Sequence, residues 1–173
     1  MNPTLLHDYC GARISGWLMS AKLDGWRMLW TGREFVSRQG VRFDVPDSWV
    51  AGMPDFPLDG ELFAGRGNFN LIQGLMRDGW QGLAFHVFDV PSGLPFAKRL
   101  RVLRSLRLPG HCVLVHHLPV RSTEELVAAA WREVAAGGEG VVVRDPRAPY
   151  EAGRSWSVQR FVPQVPEVNR RAA

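Results

Sequence analysis

Residues 17–30 read WLMSAKLDGWRMLW, two short apolar runs joined through an Asp-Gly pair. Apolar runs flanking Asp-Gly are a strong local signal for β-strands separated by a tight turn. The stretch therefore predicts strands over 17–22 and 26–30, and a Thr31-Gly32 pair predicts a second turn before a strand over 34–38. Lys22 is thereby placed at a strand end beside a turn.

Working outward, strand signals recur over residues 56–63, 83–90, 112–117 and 139–144. Helical spacing of apolar residues extends over 69–76 and 96–106. Ser122 to Glu125 forms a capping box that opens another helix, and Gly137-Gly138 ends it. Antiparallel-looking strands with helices interspersed predict an α+β fold.

Size and composition are those of one ordinary globular domain. A chain of 173 residues buries roughly 70% of its unfolded surface, and no repeat or polar linker divides it. The two cysteines form no CxxC pair, so neither a disulfide framework nor a zinc site is indicated. No signal peptide and no apolar run approaching ~18 residues is found, which predicts a cytoplasmic protein without membrane association.

The net charge of +4 is concentrated in two places, which favours a polyanionic partner. On charge alone, a solvated helix face and a frayed tail explain the pattern equally well. The clustered residues are Lys98, Arg99, Arg101, Arg104 and Arg107 in one segment, and Arg154, Arg160, Arg170 and Arg171 towards the C-terminus.

Three short charged clusters stand at strand ends or turns. They are KLDG at 22–25 with Arg27 close by, DGE at 59–61, and EG at 139–140. Each cluster alone is typical of a solvated turn or a helix stop. Their joint order and spacing are not.

With their flanking residues these clusters resemble the motifs of the covalent nucleotidyltransferases, which include DNA ligases, RNA ligases and mRNA capping enzymes. The similarity is greatest to the minimal bacterial and viral ATP-dependent DNA ligases, and it runs from about residue 5 to residue 163. In chain order the matching segments are AKLDGWR at 21–27 (nucleophile), SR at 37–38 (phosphate contact), LDGE at 58–61 (ribose), FHVFD at 85–89 (aromatic stacking), EGVVVR at 139–144 (fourth main motif) and YEAGRS at 150–155 (lead-in to the fifth).

The resemblance implies a ligase-type, ATP-grasp-like nucleotidyltransferase domain of antiparallel sheets flanked by helices over residues 1–163. A short basic tail follows over 164–173, and no OB-fold domain is present in the sequence. The implied activity is that of an ATP-dependent DNA ligase of DNA repair or replication. Such an enzyme seals nicks in double-stranded DNA through a lysyl-AMP adduct and a 5′-adenylated DNA intermediate, with Mg²⁺ or Mn²⁺. A monomer is expected.

The same resemblance implies the roles of individual residues. An amine attacking the α-phosphate must be unprotonated, and charge on the phosphoryl oxygens needs fixed cations or a metal. Phe88, rather than Phe85, is expected to cover one face of adenine, with Val142 on the other. The implied catalytic residues are Lys22, Asp24, Arg27, Glu61 and Glu139. The implied nucleotide-binding residues are Ala21, Lys22, Arg27, Arg38, Glu61, Phe88, Val142 and Arg160. The implied metal ligands are Glu61 and Glu139, and the implied nucleic-acid contacts are Arg38, Arg144, Arg154 and Arg160.

One departure from the family leaves alternatives open. The fifth motif ordinarily ends in Lys-x-Lys, whereas Arg160 and Val162 stand at those positions, and self-adenylation with free ATP is expected to be impaired. A catalytically idle nucleic-acid-binding relative, or an RNA ligase or capping-type enzyme, are the alternative interpretations. Trp156 is interpreted as a packed or half-buried indole, and the alternative is a surface on which a base stacks.

Overall fold

The structure, a computed structural model, describes residues 2–164 and contains two five-stranded sheets with four α-helices and one 3₁₀ helix. The predicted basic tail, including Arg170 and Arg171, lies outside the described residues except for Gln164. The strands are β1 (Thr4–Asp8), β2 (Trp17–Lys22), β3 (Trp26–Trp30), β4 (Phe35–Ser37), β5 (Leu58–Phe63), β6 (Ala84–Asp89), β7 (Cys112–Leu114), β8 (Leu118–Val120), β9 (Gly140–Arg144) and β10 (Gly153–Phe161). The helices are α1 (Asp47–Val50), α2 (Ile72–Arg77), α3 (Phe96–Ser105) and α4 (Thr123–Ala135), with the 3₁₀ helix at Phe69–Leu71.

The first sheet has the strand order β1-β10-β9-β2-β8, and the second has the order β4-β3-β5-β6-β7. Neighbouring strands are antiparallel except for the pairs β1–β10 and β6–β7, which are parallel. The predicted α+β class of sheets flanked by helices is confirmed. The parallel pairs, and strands β1, β8 and β10, were not indicated by the sequence pattern.

The Asp24-Gly25 pair connects the two sheets. β2 belongs to the first sheet and β3 to the second, so this turn does not fold one strand back on the other, unlike the Thr31-Gly32 turn between the paired strands β3 and β4. A Cβ at Gly25 would collide with the carbonyl oxygen of Leu62. Glycine is therefore required where the chain crosses closely over β5, and the crossing carries Lys22 to the boundary between the sheets.

Each sheet buries one face under helices and turns the other towards the opposite sheet. The period-two alternation of strands decides which residue goes where. On β9, Val141 and Val143 enter the core beneath α4, whereas Val142 and Arg144 face the space between the sheets. On β6, Phe85 and Val87 join the larger core, which also contains Phe96 and other apolar residues of α3.

Candidate active site

A cleft of about 520 Å³ lies between the two sheets, and strands from both sheets line it. Lys22 enters it from the end of β2, where its backbone pairs with Gly140 of β9. The Lys22 Nζ donates a hydrogen bond to Glu139 Oε2, so the first and third charged clusters meet as an ion pair. Gly140 has φ of +151°, and a Cβ there would meet the carbonyl oxygen of Phe161. Glycine after Glu139 thus allows β9 to lie tightly against β10.

Glu61 brings the second cluster into the same cleft. It lies on β5 directly opposite Arg27 of β3. Burial raises the pKa of Glu61 to about 7; Arg27 opposes the rise, and the nearby Asp59 and Glu139 add to it. Burial and the charge of Glu139 also raise the pKa of Asp24. Carboxylates from all three clusters therefore influence one another electrostatically around Lys22.

The structure also bears on the predicted metal ligands. Among residues 2–164 no group of three or more His, Cys, Asp or Glu side chains is arranged to hold a metal ion. Mg²⁺ is usually bound by one or two carboxylates together with water and substrate phosphates. The pair Glu61 and Glu139, with their mutually unfavourable charges, is compatible with that mode of binding.

Phe88 and Val142 both line the cleft, on opposite sheets. Phe85 is fully buried and packs edge-on against Phe35, so it is withdrawn from the cleft. The guanidinium carbons of Arg27 and Arg144 each lie 4.8 Å from the centre of the Phe88 ring. Of the two aromatic candidates, Phe88 is therefore the one that the fold presents to a ligand.

Arg27 is the centre of a buried network that the sequence did not indicate. Its Nε and Nη2 donate to the two carboxylate oxygens of Asp59, each at 2.6 Å, and Nη2 also donates to the carbonyl oxygen of Thr4 at 3.1 Å. The Tyr150 hydroxyl donates to Asp59 at 2.6 Å. Burial and the adjacent Asp59 raise the pKa of Tyr150 well above its usual value, so it stays a neutral donor.

Arg144 is 5% exposed and also lies 5.5 Å from the centre of the Phe96 ring. Its Nε is buried without a hydrogen-bond partner among the described residues. Burial lowers the pKa of Arg144, and the charge of nearby Arg27 acts in the same direction, while Asp89 opposes it. Arg144 also lines the cleft, and the nucleic-acid contact predicted for it from the sequence stays a prediction.

The remaining predicted arginines line the cleft with exposed side chains. Arg38, Arg154 and Arg160 all contribute to its wall. Arg160 Nε donates to Asp8 at 2.6 Å, and Arg154 Nη1 donates to the carbonyl oxygen of Leu6 at 3.2 Å.

Comparison with known proteins agrees with this geometry. No protein-family model matches the chain. A DNA ligase of Haemophilus influenzae is 39% identical over 166 residues, which cover 91% of this chain and 62% of that protein. A solved structure of a Lig E DNA ligase has a TM-score of 0.87 at 26% identity, covering 94% of this chain and 69% of the other. This chain is similar to DNA ligases in sequence and in fold.

More distant members share the fold. The Chlorella virus DNA ligase-adenylate has a TM-score of 0.75 at 16% identity, with 93% of this chain and 67% of the other covered. Mycobacterial DNA ligase D, complexed with ATP and MES, has a TM-score of 0.73 at 21% identity, with 93% and 60% covered. The chain corresponds to the ligase nucleotidyltransferase domain and spans about three-fifths of the length of the Haemophilus relative.

Most of the site residues predicted from the motifs line this cleft. The list of lining residues includes Ala21, Lys22, Arg27, Arg38, Glu61, Phe88, Val142, Arg144, Arg154 and Arg160. Glu139 is linked to the cleft by its ion pair with Lys22. The charges of Glu139 and Lys22 in turn affect the pKa of Asp24. Asp59 and Tyr150 were missed as site residues, although both stand inside quoted motifs. None of the four described α-helices combines the length and the apolar character needed to cross a membrane.

Proposed function

We propose that this chain is an ATP-dependent DNA ligase that seals nicks in double-stranded DNA, with Lys22 as the nucleophile. The observation that carries the proposal is the position of the Lys22 amine. Lys22 lines the same cleft as Phe88 and Val142, and its amine is paired with Glu139. The chain contains only two lysines, and the second, Lys98, lies on α3 outside the residues that line the cleft.

In the first step the Lys22 amine attacks the α-phosphorus of ATP, a P–N bond forms, and pyrophosphate leaves. Glu139, which already accepts a hydrogen bond from Lys22, is placed to take the amine proton. Adenine would stack on the ring of Phe88 with the side chain of Val142 on its other face, because both residues line the cleft and aromatic rings prefer to stack. Glu61 is held beside the nucleotide by its register opposite Arg27.

In the second step the 5′-phosphate of the nick displaces Lys22 from AMP, and in the third the 3′-hydroxyl displaces AMP and closes the strand. Both steps develop negative charge on phosphoryl oxygens, which fixed cations stabilise. Arg38, Arg144 and Arg160 line the cleft and supply those cations. The Nε of the buried Arg144 has no hydrogen-bond partner among residues 2–164, which supports a role for Arg144 in binding a phosphate.

Glu61 and Glu139 would hold Mg²⁺ or Mn²⁺ together with phosphate oxygens. The ion supplies neutralisation of phosphate charge. Burial is the main cause of the raised pKa of Glu61, and the charge of Glu139 adds to it; a bound cation would relieve both unfavourable effects.

The proposed partner is nicked duplex DNA, bound by one copy of the chain. The excess of Lys and Arg over Asp and Glu supports a polyanionic substrate. An idle nucleic-acid-binding relative is not favoured, since the Lys22, Glu61 and Glu139 clusters are brought together. The similarity to DNA ligases likewise disfavours an RNA ligase or capping enzyme.

A nick-sealing assay tests this function. Duplex DNA with one 5′-phosphorylated nick is incubated with the chain, ATP and Mg²⁺, and joined product is quantified on denaturing gels. We expect ATP-dependent sealing that Glu139→Ala lowers by about two orders of magnitude or more. Glu34→Ala, at an exposed surface ion pair with Arg42, is the matched control and should seal normally. No sealing by the wild-type chain, or normal sealing by Glu139→Ala, would contradict the proposal.

A further inference from the structure

The pairing of β1 with β10 contains a large irregularity. Leu5 pairs with Arg154, but His7, two residues further along β1, pairs with Gln159, five residues further along β10. The intervening part of β10, residues 155–158, therefore bulges away from a regular ladder. β-Bulges are found next to active sites, where they redirect a side chain.

Dedicated hydrogen bonds hold this bulge in one conformation. The Ser155 Oγ accepts from the Ser157 backbone N–H at 3.1 Å and lies 2.7 Å from the Ser157 Oγ. Glu151 accepts from the hydroxyls of both serines. The Gln159 side-chain amide donates to the carbonyl oxygen of Trp156 at 2.9 Å. Because Ser155 and Gln159 are buried, the bulge is a fixed part of the fold.

The residue that this bulge presents is Trp156, whose side chain is 60% exposed. One face of its indole stacks on His7, with ring centres 3.7 Å apart and planes within 3° of parallel. No other aromatic ring or cation is stacked on Trp156 among residues 2–164. The Trp156 indole is thus held by stacking on His7 on one side, and its other face is exposed to solvent.

This indole belongs to the strand pair β1–β10, which supplies part of the wall of the proposed nucleotide and DNA cleft. Leu6, adjacent to His7, lines the cleft, and so does Arg154, two residues before Trp156. Arg160, on the same strand, is a further exposed cation of that wall. An aromatic face close to cations that contact phosphates is the combination by which proteins bind unpaired nucleotides.

We propose that the open face of Trp156 stacks on an unpaired nucleobase of the DNA bound at the cleft. Within a duplex both faces of each base are covered by neighbours, so a base free to stack on protein is one at an overhang, a gap or a displaced end. The adenine of ATP is accounted for by Phe88 and Val142. This inference rests on the proposed function only in taking DNA as the substrate.

The experiment compares the dissociation constants of two fluorescently labelled DNAs by anisotropy at one fixed salt concentration. One is a fully paired nicked duplex. The other has the same sequence and nick, but one nucleotide at the nick is unpaired and lies outside the helix. The proteins are the wild-type chain, Trp156→Leu, which keeps apolar bulk without a π-face, and Trp156→Phe, which keeps a ring. Trp131→Leu, at a tryptophan of α4 that is 41% exposed, is the matched control.

We expect Trp156→Leu to weaken binding of the displaced-nucleotide DNA about ten-fold, within the range measured for base–aromatic stacking, and binding of the fully paired nick by less than about two-fold. Trp156→Phe should retain most of the affinity, and Trp131→Leu should match the wild type on both DNAs. Equal losses on both DNAs, or no loss on either, would overturn the inference. Failure of the wild-type chain to bind either DNA would instead overturn the proposed function, and the inference with it.

Discussion

Glu61→Gln is predicted to stabilise the fold at alkaline pH and to leave it nearly unchanged at acidic pH. Burial raises the pKa of Glu61 from 4.5 to about 7, so the folded chain favours the protonated carboxyl more than the unfolded chain does. Ionisation of Glu61 therefore opposes folding as the pH rises. The penalty is absent below the unfolded pKa of 4.5 and complete above the folded pKa of about 7. Gln is neutral and similar in shape, so it removes this penalty.

The magnitude follows from the distance between the two pKa values. At ~1.4 kcal/mol for each pH unit, the rise from 4.5 to about 7 corresponds to on the order of 3 kcal/mol when the carboxyl is fully ionised. Glu61 is half-buried rather than sealed from water, and screening by that water reduces the expected gain to about 2 kcal/mol.

The assay is urea unfolding of the wild-type chain and Glu61→Gln at pH 4.5 and pH 8.5. A chelator is included, because a bound cation would favour the ionised carboxylate. We expect the variant to exceed the wild type in free energy of unfolding by about 2 kcal/mol at pH 8.5 and by less than about 0.5 kcal/mol at pH 4.5. A difference that does not depend on pH, or a variant less stable than the wild type at pH 8.5, would refute the reasoning.

Three further substitutions test the architecture of the site. Arg27→Ala should lower the free energy of unfolding by about 3–5 kcal/mol, because it leaves the Asp59 carboxylate, 1% exposed, without its guanidinium. Tyr150→Phe removes one hydrogen bond to Asp59 and should lower the free energy of unfolding by only about 1 kcal/mol. Equal effects in urea unfolding would contradict the assignment of Arg27 as the main counter-charge. Gly140→Ala should lower nick sealing more than about ten-fold, because its Cβ would collide with the carbonyl oxygen of Phe161 and displace Glu139. Gly74→Ala, in α2 with open space around the new methyl group, is its control, and normal sealing by Gly140→Ala would show that β9 tolerates the displacement.

The candidate catalytic residues could be predicted because each lies in a short, contiguous sequence motif. Lys22 ends β2 three residues before Gly25, Glu61 follows Gly60 within β5, and Glu139 precedes Gly140 at the start of β9. Strand alternation then separates Val142, which faces the cleft, from Val141 and Val143, which face the core. Such alternation is a local property of the backbone, so it survives whatever the strand pairs with.

Pairing between distant segments was beyond the reach of the local pattern. Asp24-Gly25 carries the signal of a hairpin turn, yet the two flanking strands join different sheets. Glycine is needed at position 25 because the chain passes close to the Leu62 carbonyl oxygen as it crosses between the sheets. The Arg27–Asp59–Tyr150 network joins residues up to more than a hundred positions apart, and no periodicity records it.

The bulge in β10 escaped prediction for a related reason. Its Ser-Trp-Ser sequence has no turn residue, and the exposure of Trp156 follows from the register of β10 against β1. One face of Trp156 packs on His7 while the residue is 60% exposed, so the indole is half-covered and not packed on all sides.

The central claim is that Lys22 becomes covalently linked to AMP. The chain is incubated with ATP labelled at the α-phosphate and with Mg²⁺, digested, and mapped by mass spectrometry. Because Lys22 and Lys98 are the only lysines, the assignment needs two variants, Lys22→Ala and Lys98→Ala. With Lys22 as the nucleophile, we expect one AMP on Lys22 in the wild type and in Lys98→Ala, and none in Lys22→Ala. Labelling that persists in Lys22→Ala, or a wild-type chain that takes up no AMP, would contradict it.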